Sequence, residues 1–224
     1  MVHRTDMTAG TGAWRRTGPD PGDRQVRLRA EGISKRYRRR PVLSDVNLVV
    51  HAGEVAAVVG ANGSGKSTLL KICAGLVSSD AGRVMLHGTV GYCPQDVGLF
   101  GFLLPDEHFV LFGAAQGMTR RQSRERGRGI AAELAWDATE RTQARQLSGG
   151  TQQKLNLTLA ALAEADVLLL DEPYQGFDRG SYLDFWEQVA RWREAGRAIV
   201  VITHMLNSLD HVDQVLDLGA CAAR

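Results

Sequence analysis

The sequence has little with which to cross a membrane, build a disulfide framework or grip a nucleic acid. No apolar run approaches the roughly 18–20 residues that a bilayer span takes. The richest stretch, residues 155–170, is broken by Glu164 and Asp166. The first residues include Arg and Pro but no apolar segment ahead of a small-residue cleavage site. That excludes a secretory signal and leads us to expect a cytoplasmic chain. The three cysteines, Cys73, Cys93 and Cys221, have neither disulfide nor metal spacing, so reduced and buried thiols are expected. Zinc spacings, aromatic RNA motifs and long basic helices are missing, so no nucleic-acid partner is expected. Internal repeats are missing as well. Lysine is scarce, with four in the chain.

What is present suits one large domain: 224 residues of which 44% are apolar, enough to bury a core. The net charge of +2 is unevenly spread. Residues 1–40 hold 11 Arg or Lys against 4 Asp or Glu, a balance of +7 that leaves −5 for the remainder. Residues 1–24 are rich in Gly, Thr, Pro and Asp, and read as a disordered basic tail ahead of a single domain at 25–224.

Organisation follows from hydrophobic period. QVRLRAEGIS and VLSDVNLVV alternate like strands and are joined across YRRRP, which predicts an N-terminal antiparallel hairpin from about Gln25. EVAAVVG is nearly all apolar, as a strand buried on both faces should be, and the KSTLLKICAGL after it is helical. ADVLLLDEP, SYLDFWEQVARWREAG and RAIVVITH repeat strand, helix and strand, with Leu183, Trp186 and Ala190 spaced for one helix face. The fold expected is α/β: a mostly parallel sheet, an antiparallel β subdomain before it, and an inserted α-helical subdomain over about 100–165. That insertion lacks strand character and carries five arginines between Arg120 and Arg128.

Two stretches have the makings of a phosphate seat. GANGSGKST, Gly60 to Thr68, has the P-loop spacing and lies where the spacing has meaning, between an apolar strand and a helix. Glycines let backbone N–H groups turn inward, the helix N-terminus favours an anion, Lys66 offers charge to the outer phosphates, and Ser67 offers a hydroxyl to Mg²⁺. LSGGTQQKL, from Leu147, opens a second, leucine-rich helix. Between them in chemistry stands VLLLDEP, a buried strand ending in Asp171, suited to Mg²⁺, and Glu172, placed to polarise an attacking water. Gln95 and His204 each follow a strand-like segment, on the side where the P-loop lies.

The succession resembles the nucleotide-binding domain of ATP-binding cassette (ABC) transporters from about Gln25 to Leu218. GANGSGKST is similar to the family's Walker A motif, GYCPQ to its Q-loop, LSGGTQQKL to its signature, VLLLDEP to Walker B with the following glutamate, and ITH to its switch histidine. The resemblance implies a P-loop ATPase using ATP and Mg²⁺. Tyr37 would stack on adenine, although an ordinary strand tyrosine is its other reading. Gly60, Asn62, Gly63, Ser64, Gly65, Lys66, Ser67 and Thr68 would surround the phosphates. Ser67, Gln95 and Asp171 would hold the metal, and Glu172, His204 and Gln95 would serve catalysis. Ser148, Gly149 and Gly150 would close on ATP bound by a second copy or a second ABC subunit, with Asp178 at the dimer interface.

A separate transmembrane permease subunit is implied, with this chain peripheral on the inner face of the membrane. The wording LSGGTQQKLNLTLA resembles bacterial ABC-2-type exporter ATPases. A haem-exporter-like ATPase of cytochrome maturation and a soluble ABC ATPase of iron–sulfur cluster assembly are the alternatives. Thr151 stands where the family usually has Gln, and Tyr174 and Phe177 depart from its usual loop, while Asp178 keeps to it.

Overall fold

In the computed structural model, residues 13–18, 22, 24–203 and 210–219 are described. Two twelve-residue strands, β2 (Val26–Tyr37) and β3 (Arg40–His51), form the expected hairpin, closing at the pair Tyr37 and Arg40. The inward face carries Leu28, Ala30 and Ile33 on β2 and Leu43, Val46, Leu48 and Val50 on β3, all buried, with the alternation slipping by one residue after Ala30 and after Leu43, where the pairing register shifts. β5 (Ala81–Leu86) pairs with the free edge of β2, giving a three-stranded antiparallel sheet in the order β3-β2-β5.

The second sheet has six strands in the order β1-β9-β4-β8-β7-β6. These are β1 (Ala13–Arg16), β9 (Gln214–Asp217), β4 (Val55–Val59), β8 (Ala198–Ile202), β7 (Val167–Asp171) and β6 (Val90–Cys93). All neighbours from β9 to β6 pair in parallel, so their C-terminal ends lie along one edge of the sheet. That edge is where open α/β sheets receive ligands. Here it gathers the loops after β4, β6 and β7, which carry the glycine loop, Gln95 and the Asp171–Glu172 strand end.

Strand alternation sorts the core into two layers. Ala56, Val58, Leu169, Val200 and Ile202 face the antiparallel sheet and α1 (Lys66–Cys73). Val55, Ala57, Leu168, Leu170, Ile199 and Val201 face α4 (Gly149–Ala161) and α5 (Arg179–Glu194). A third cluster, around Phe109, Ala131, Leu155 and Leu159, joins α2 (Pro105–Ala115), α3 (Arg120–Glu133) and α4 into the helical subdomain. Arginines of α3 tie it together: Arg128 makes a two-bonded pair with Asp106 of α2, and Arg126 reaches Glu164 at 2.6 Å. Cys73 and Cys93 are buried thiols, and burial pushes Cys73 up to about 12. Cys221 lies outside the described residues.

Two expectations are corrected. The tail expected at 1–24 contains β1, which runs antiparallel to β9. Its attachment is backbone pairing plus polar contacts, which apolar periodicity does not announce. On α5, Leu183 and Ala190 are exposed; the buried face runs through Phe185, Trp186, Val189 and Trp192. The helical period holds and its phase is shifted, because the larger aromatic stripe takes the core.

Past β1, the N–H groups of Thr17 and Gly18 both donate to the carbonyl of Asp213, at 2.7 and 2.8 Å. Arg16 meets Glu54 at 2.7 Å, and Glu54 is only 1% exposed. Arg16→Ala should therefore lower stability by about 1–3 kcal/mol, the cost of leaving a buried polar group short of a partner. A thermal melt should show a fall of several degrees for a chain of this size. Deletion of residues 1–22 should do at least as much. A wild-type melting temperature in both variants would mean that β1 contributes no stability.

Candidate functional site

A cleft of about 610 Å³ opens at the C-terminal edge of the parallel sheet, within the span of small-molecule sites. Tyr37, Val42, Asn62, Gly63, Gly65, Lys66, Ser67, Thr68, Gln95, Glu172 and Gln175 line it. Four separate segments thus converge: the β2–β3 hairpin, the loop after β4, the loop after β6 and the loop after β7.

The loop after β4 is shaped for an anion. Gly65 is the N-cap of α1 and offers no side-chain bond to the first-turn N–H groups. Its φ of 97° is left-handed, and a Cβ there would lie 2.9 Å from the carbonyl oxygen of Val42, so only glycine fits. Lys66, 6% exposed, folds back onto its own loop, donating to the carbonyls of Gly60 at 2.9 Å and Ala61 at 3.1 Å. Burial lowers its pKa, and the negative charges of Glu172 and Asp171 work against that shift. A phosphate arriving at the loop would offer this ammonium a charged acceptor in place of two neutral ones. The Ser64 hydroxyl is buried without a hydrogen-bond partner, and neither Gly60 nor Ser64 lines the cleft.

Asp171 ends β7 beneath the cleft, 1% exposed. Burial raises its pKa; a hydrogen bond from Ser67 lowers it, and Glu172 raises it further. One oxygen, Oδ1, has no hydrogen-bond partner. A buried carboxylate oxygen left over beside a serine hydroxyl is the donor set of Mg²⁺ held jointly by protein and phosphates, so these residues fit that ion. Glu172 follows with φ 49°, a left-handed backbone rare outside glycine. Its carboxylate accepts a 3.1 Å hydrogen bond from the Gln95 side-chain amide. The structure therefore brings Gln95 and Glu172 together from residues 77 apart in the chain. His204 lies outside the described residues, one position beyond buried Thr203.

Tyr37 lies half-exposed at the mouth of the cleft, with the Lys35 ammonium 5.6 Å from its ring. If its ring stacks on a base, Tyr37→Ala should weaken ATP binding by about 0.5–1.5 kcal/mol, and Tyr37→Trp should preserve it. A nucleotide titration that finds Ala and wild type equal would return Tyr37 to an ordinary strand position. The cleft also contains Val42 and Gln175, which the sequence did not mark. Val42 packs under Gly65, and the Gln175 N–H closes a turn on the Glu172 carbonyl at 3.2 Å.

None of Ser148, Gly149 and Gly150 lines this cleft. Ser148 caps α4, accepting from the Thr151 N–H at 3.2 Å and pairing with its hydroxyl at 2.8 Å. The unusual Thr151 is thus a partner of the cap. Gly149 has open space where a Cβ would stand, while at Gly150 a Cβ would lie 2.9 Å from the Gly176 carbonyl oxygen. Asp178 is the N-cap of α5, accepting from the Ser181 N–H at 2.7 Å, and that bond holds its carboxyl below the usual range.

A glycine loop on a helix start, an acidic strand end and a glutamate over one cleft define a P-loop nucleotide-binding domain. The family model described as ABC transporter matches residues 43–175, more than half of the chain, and the chain belongs to that family, as an ATP-binding cassette domain with ATPase activity. An uncharacterized ABC transporter ATP-binding protein of Methanocaldococcus jannaschii is 28% identical over 86% of this chain and 74% of its own length. Glucosylceramide transporter ABCA12 of Mus musculus is 28% identical over 86% of this chain, which spans only 8% of that transporter. Among solved structures, an ATP-binding subunit of an ABC transporter superposes with a TM-score of 0.80 at 26% identity, covering 87% of each chain. A dimeric ATP-binding cassette bound to ADP and phosphate also shares the fold, with a TM-score of 0.80 at 22% identity over 87% of this chain and 95% of its own. Among the described residues no helix is long and apolar enough to cross a membrane.

Proposed function

We propose that this chain is the ATP-binding subunit of an ABC transporter, closing as a head-to-tail pair over ATP and driving transport through a separate membrane subunit. One observation carries the pairing: the cleft that would take the nucleotide is lined without any residue of LSGG, leaving that second helix start open to solvent for another subunit's phosphates. Tyr37 would hold the base, and Lys66 would exchange its two loop carbonyls for the outer phosphates. Gln95 would fix the Glu172 carboxylate, which would accept a proton from the attacking water, and His204, outside the described residues, is proposed to assist that step. Mg²⁺, held by Ser67, Asp171 and Gln95, would neutralise phosphate charge.

The membrane partner is supported by exposed apolar side chains. Phe100, Phe102, Leu111 and Phe112 stand exposed in the short stretch that follows Gln95 and runs along α2. Such exposure commonly marks an interaction site. His108 braces this stretch from beneath: its Nε2 accepts from the Phe100 N–H at 3.0 Å while Nδ1 lies 3.0 Å from the Leu104 carbonyl, an arrangement that suits the neutral ring. Relatives whose names are those of transporters favour transport over iron–sulfur cluster assembly or cytochrome maturation. Export rests on the likeness of LSGGTQQKLNLTLA to ABC-2-type ATPases. The test is co-purification from detergent-solubilised membranes. A multi-span integral protein should accompany the chain in stoichiometric amount, and recovery only with soluble assembly proteins would overturn the reading.

A further inference from the structure

Glu172 sits in a backbone conformation that costs an L-residue energy, so something must hold it there. Its contacts include the turn to Gln175 and an amide bond from Gln95, which lies 77 residues away in the chain. Two residues further on, Tyr174 does more. Its ring packs edge-on against Tyr182, centroids 5.2 Å apart, and Phe185, 5.4 Å apart, both on α5. Its hydroxyl donates to the Thr203 hydroxyl at the end of β8. Thr203 is 1% exposed and its N–H donates to the Val58 carbonyl of β4 at 3.3 Å. β4 leads within two residues into Gly60 and the glycine loop. A continuous path of bonds thus joins the loop that carries the catalytic carboxylate to the strand that carries the phosphate seat, and it runs through one phenol oxygen.

We propose that Tyr174 is a positioning residue for hydrolysis: its bond to Thr203 fixes Glu172 relative to the P-loop, so that the carboxylate and the outer phosphate keep the separation that a single water needs. The inference deepens the reading of Glu172 as the group that polarises water and rests on it. A ring at this position would pack equally well as phenylalanine, so packing alone gives no reason for the hydroxyl. A displacement of the carboxylate by a fraction of an ångström is enough to slow a reaction whose catalysis is mostly positioning. Nucleotide binding, set by Lys66 and the loop amides, does not depend on the bond.

The test uses the full chain in the assembly that carries wild-type turnover. Tyr174→Phe and Thr203→Val should each lower kcat about tenfold, the rate equivalent of one hydrogen bond worth roughly 1.4 kcal/mol, with the ATP dissociation constant within twofold of wild type. The double variant should be no slower than either single one, because both remove the same bond. Thr203→Ser, which keeps the hydroxyl, should restore turnover. Wild-type kcat in either single variant, additive losses in the double, no rescue by serine, or ATP affinity falling in step with kcat would each overturn the proposal. Glu172→Gln, measured alongside, separates the two layers. If it turns over like wild type, the role of Glu172 falls, whereas a failed Tyr174–Thr203 cycle beside an inactive Glu172→Gln leaves that role standing and removes only Tyr174.

Discussion

Lys66→Ala should abolish measurable ATP binding, while Glu172→Gln should bind ATP as wild type does and nearly stop turning it over. The lysine is held against two carbonyls of its own loop, so its removal takes away the buried ammonium proposed to meet the outer phosphates. Bonds from a charged group to phosphate are worth about 1.5–3 kcal/mol each, and losing two would weaken binding by two orders of magnitude or more. Glutamine at 172 keeps the shape and could still meet the Gln95 amide, but it cannot accept a proton from water. Turnover should fall about 10²–10⁴-fold, the span that a positioned acid–base group supplies. Equilibrium nucleotide binding and steady-state phosphate release, measured on both variants, decide the matter. Equal turnover in Glu172→Gln and wild type would take Glu172 out of the chemistry.

The second large effect lies in the signature. Ser148→Arg with Gly149→Asp places bulk and a carboxylate at a helix start proposed to meet the partner's ATP, so closure should fail through clash and charge repulsion. ATP binding by the isolated chain should survive, since neither residue lines the cleft. ATP-induced dimerisation and hydrolysis should both be lost. Ser148 also caps α4, and its loss alone would cost about 1 kcal/mol. Gly149→Asp by itself avoids that complication, because its side chain would enter open space. Mixed with Lys66→Ala, the signature variant should still form dimers containing one complete site. Analytical ultracentrifugation with ATP is the direct readout. A signature variant that loses ATP affinity as a monomer, as fully as Lys66→Ala does, would place LSGG in its own chain's pocket.

What the sequence made legible was whatever local spacing encodes. The glycine loop, the Asp171–Glu172 strand end, the hairpin and the helical insertion each announce themselves within a dozen residues, because the backbone geometry they need restricts residue type at fixed intervals. Gln95 and Glu172 were each marked, but their mutual hydrogen bond was not, since it joins two loops brought together by the pairing of β6 with β7. Contacts across the fold stayed hidden for the same reason. Tyr174 and Phe177 stood out only as departures from a pattern. In the structure, Tyr174 reaches Thr203, and the Phe177 ring lies 5.8 Å from the ammonium of Lys154 on the signature helix. The Asp-x-x-Ser spacing at Asp178 does encode its cap on α5. Gly150 has a packing reason that no single segment reveals: a Cβ there would crowd the carbonyl of Gly176.

β1 has a consequence for how this chain keeps company with others. β9 is a largely buried strand, with Gln214, Val215 and Leu216 all inside, and its outer side would otherwise display a row of unpaired N–H and C=O groups. Such a row recruits strands from neighbouring molecules, and natural sheets take care to cover it. Four residues of unremarkable composition, Ala13–Arg16, occupy the place instead. Their worth is therefore larger than the stability they add: the outermost strand on this side of the sheet is four residues long, and an edge that short offers a neighbouring molecule little to pair with.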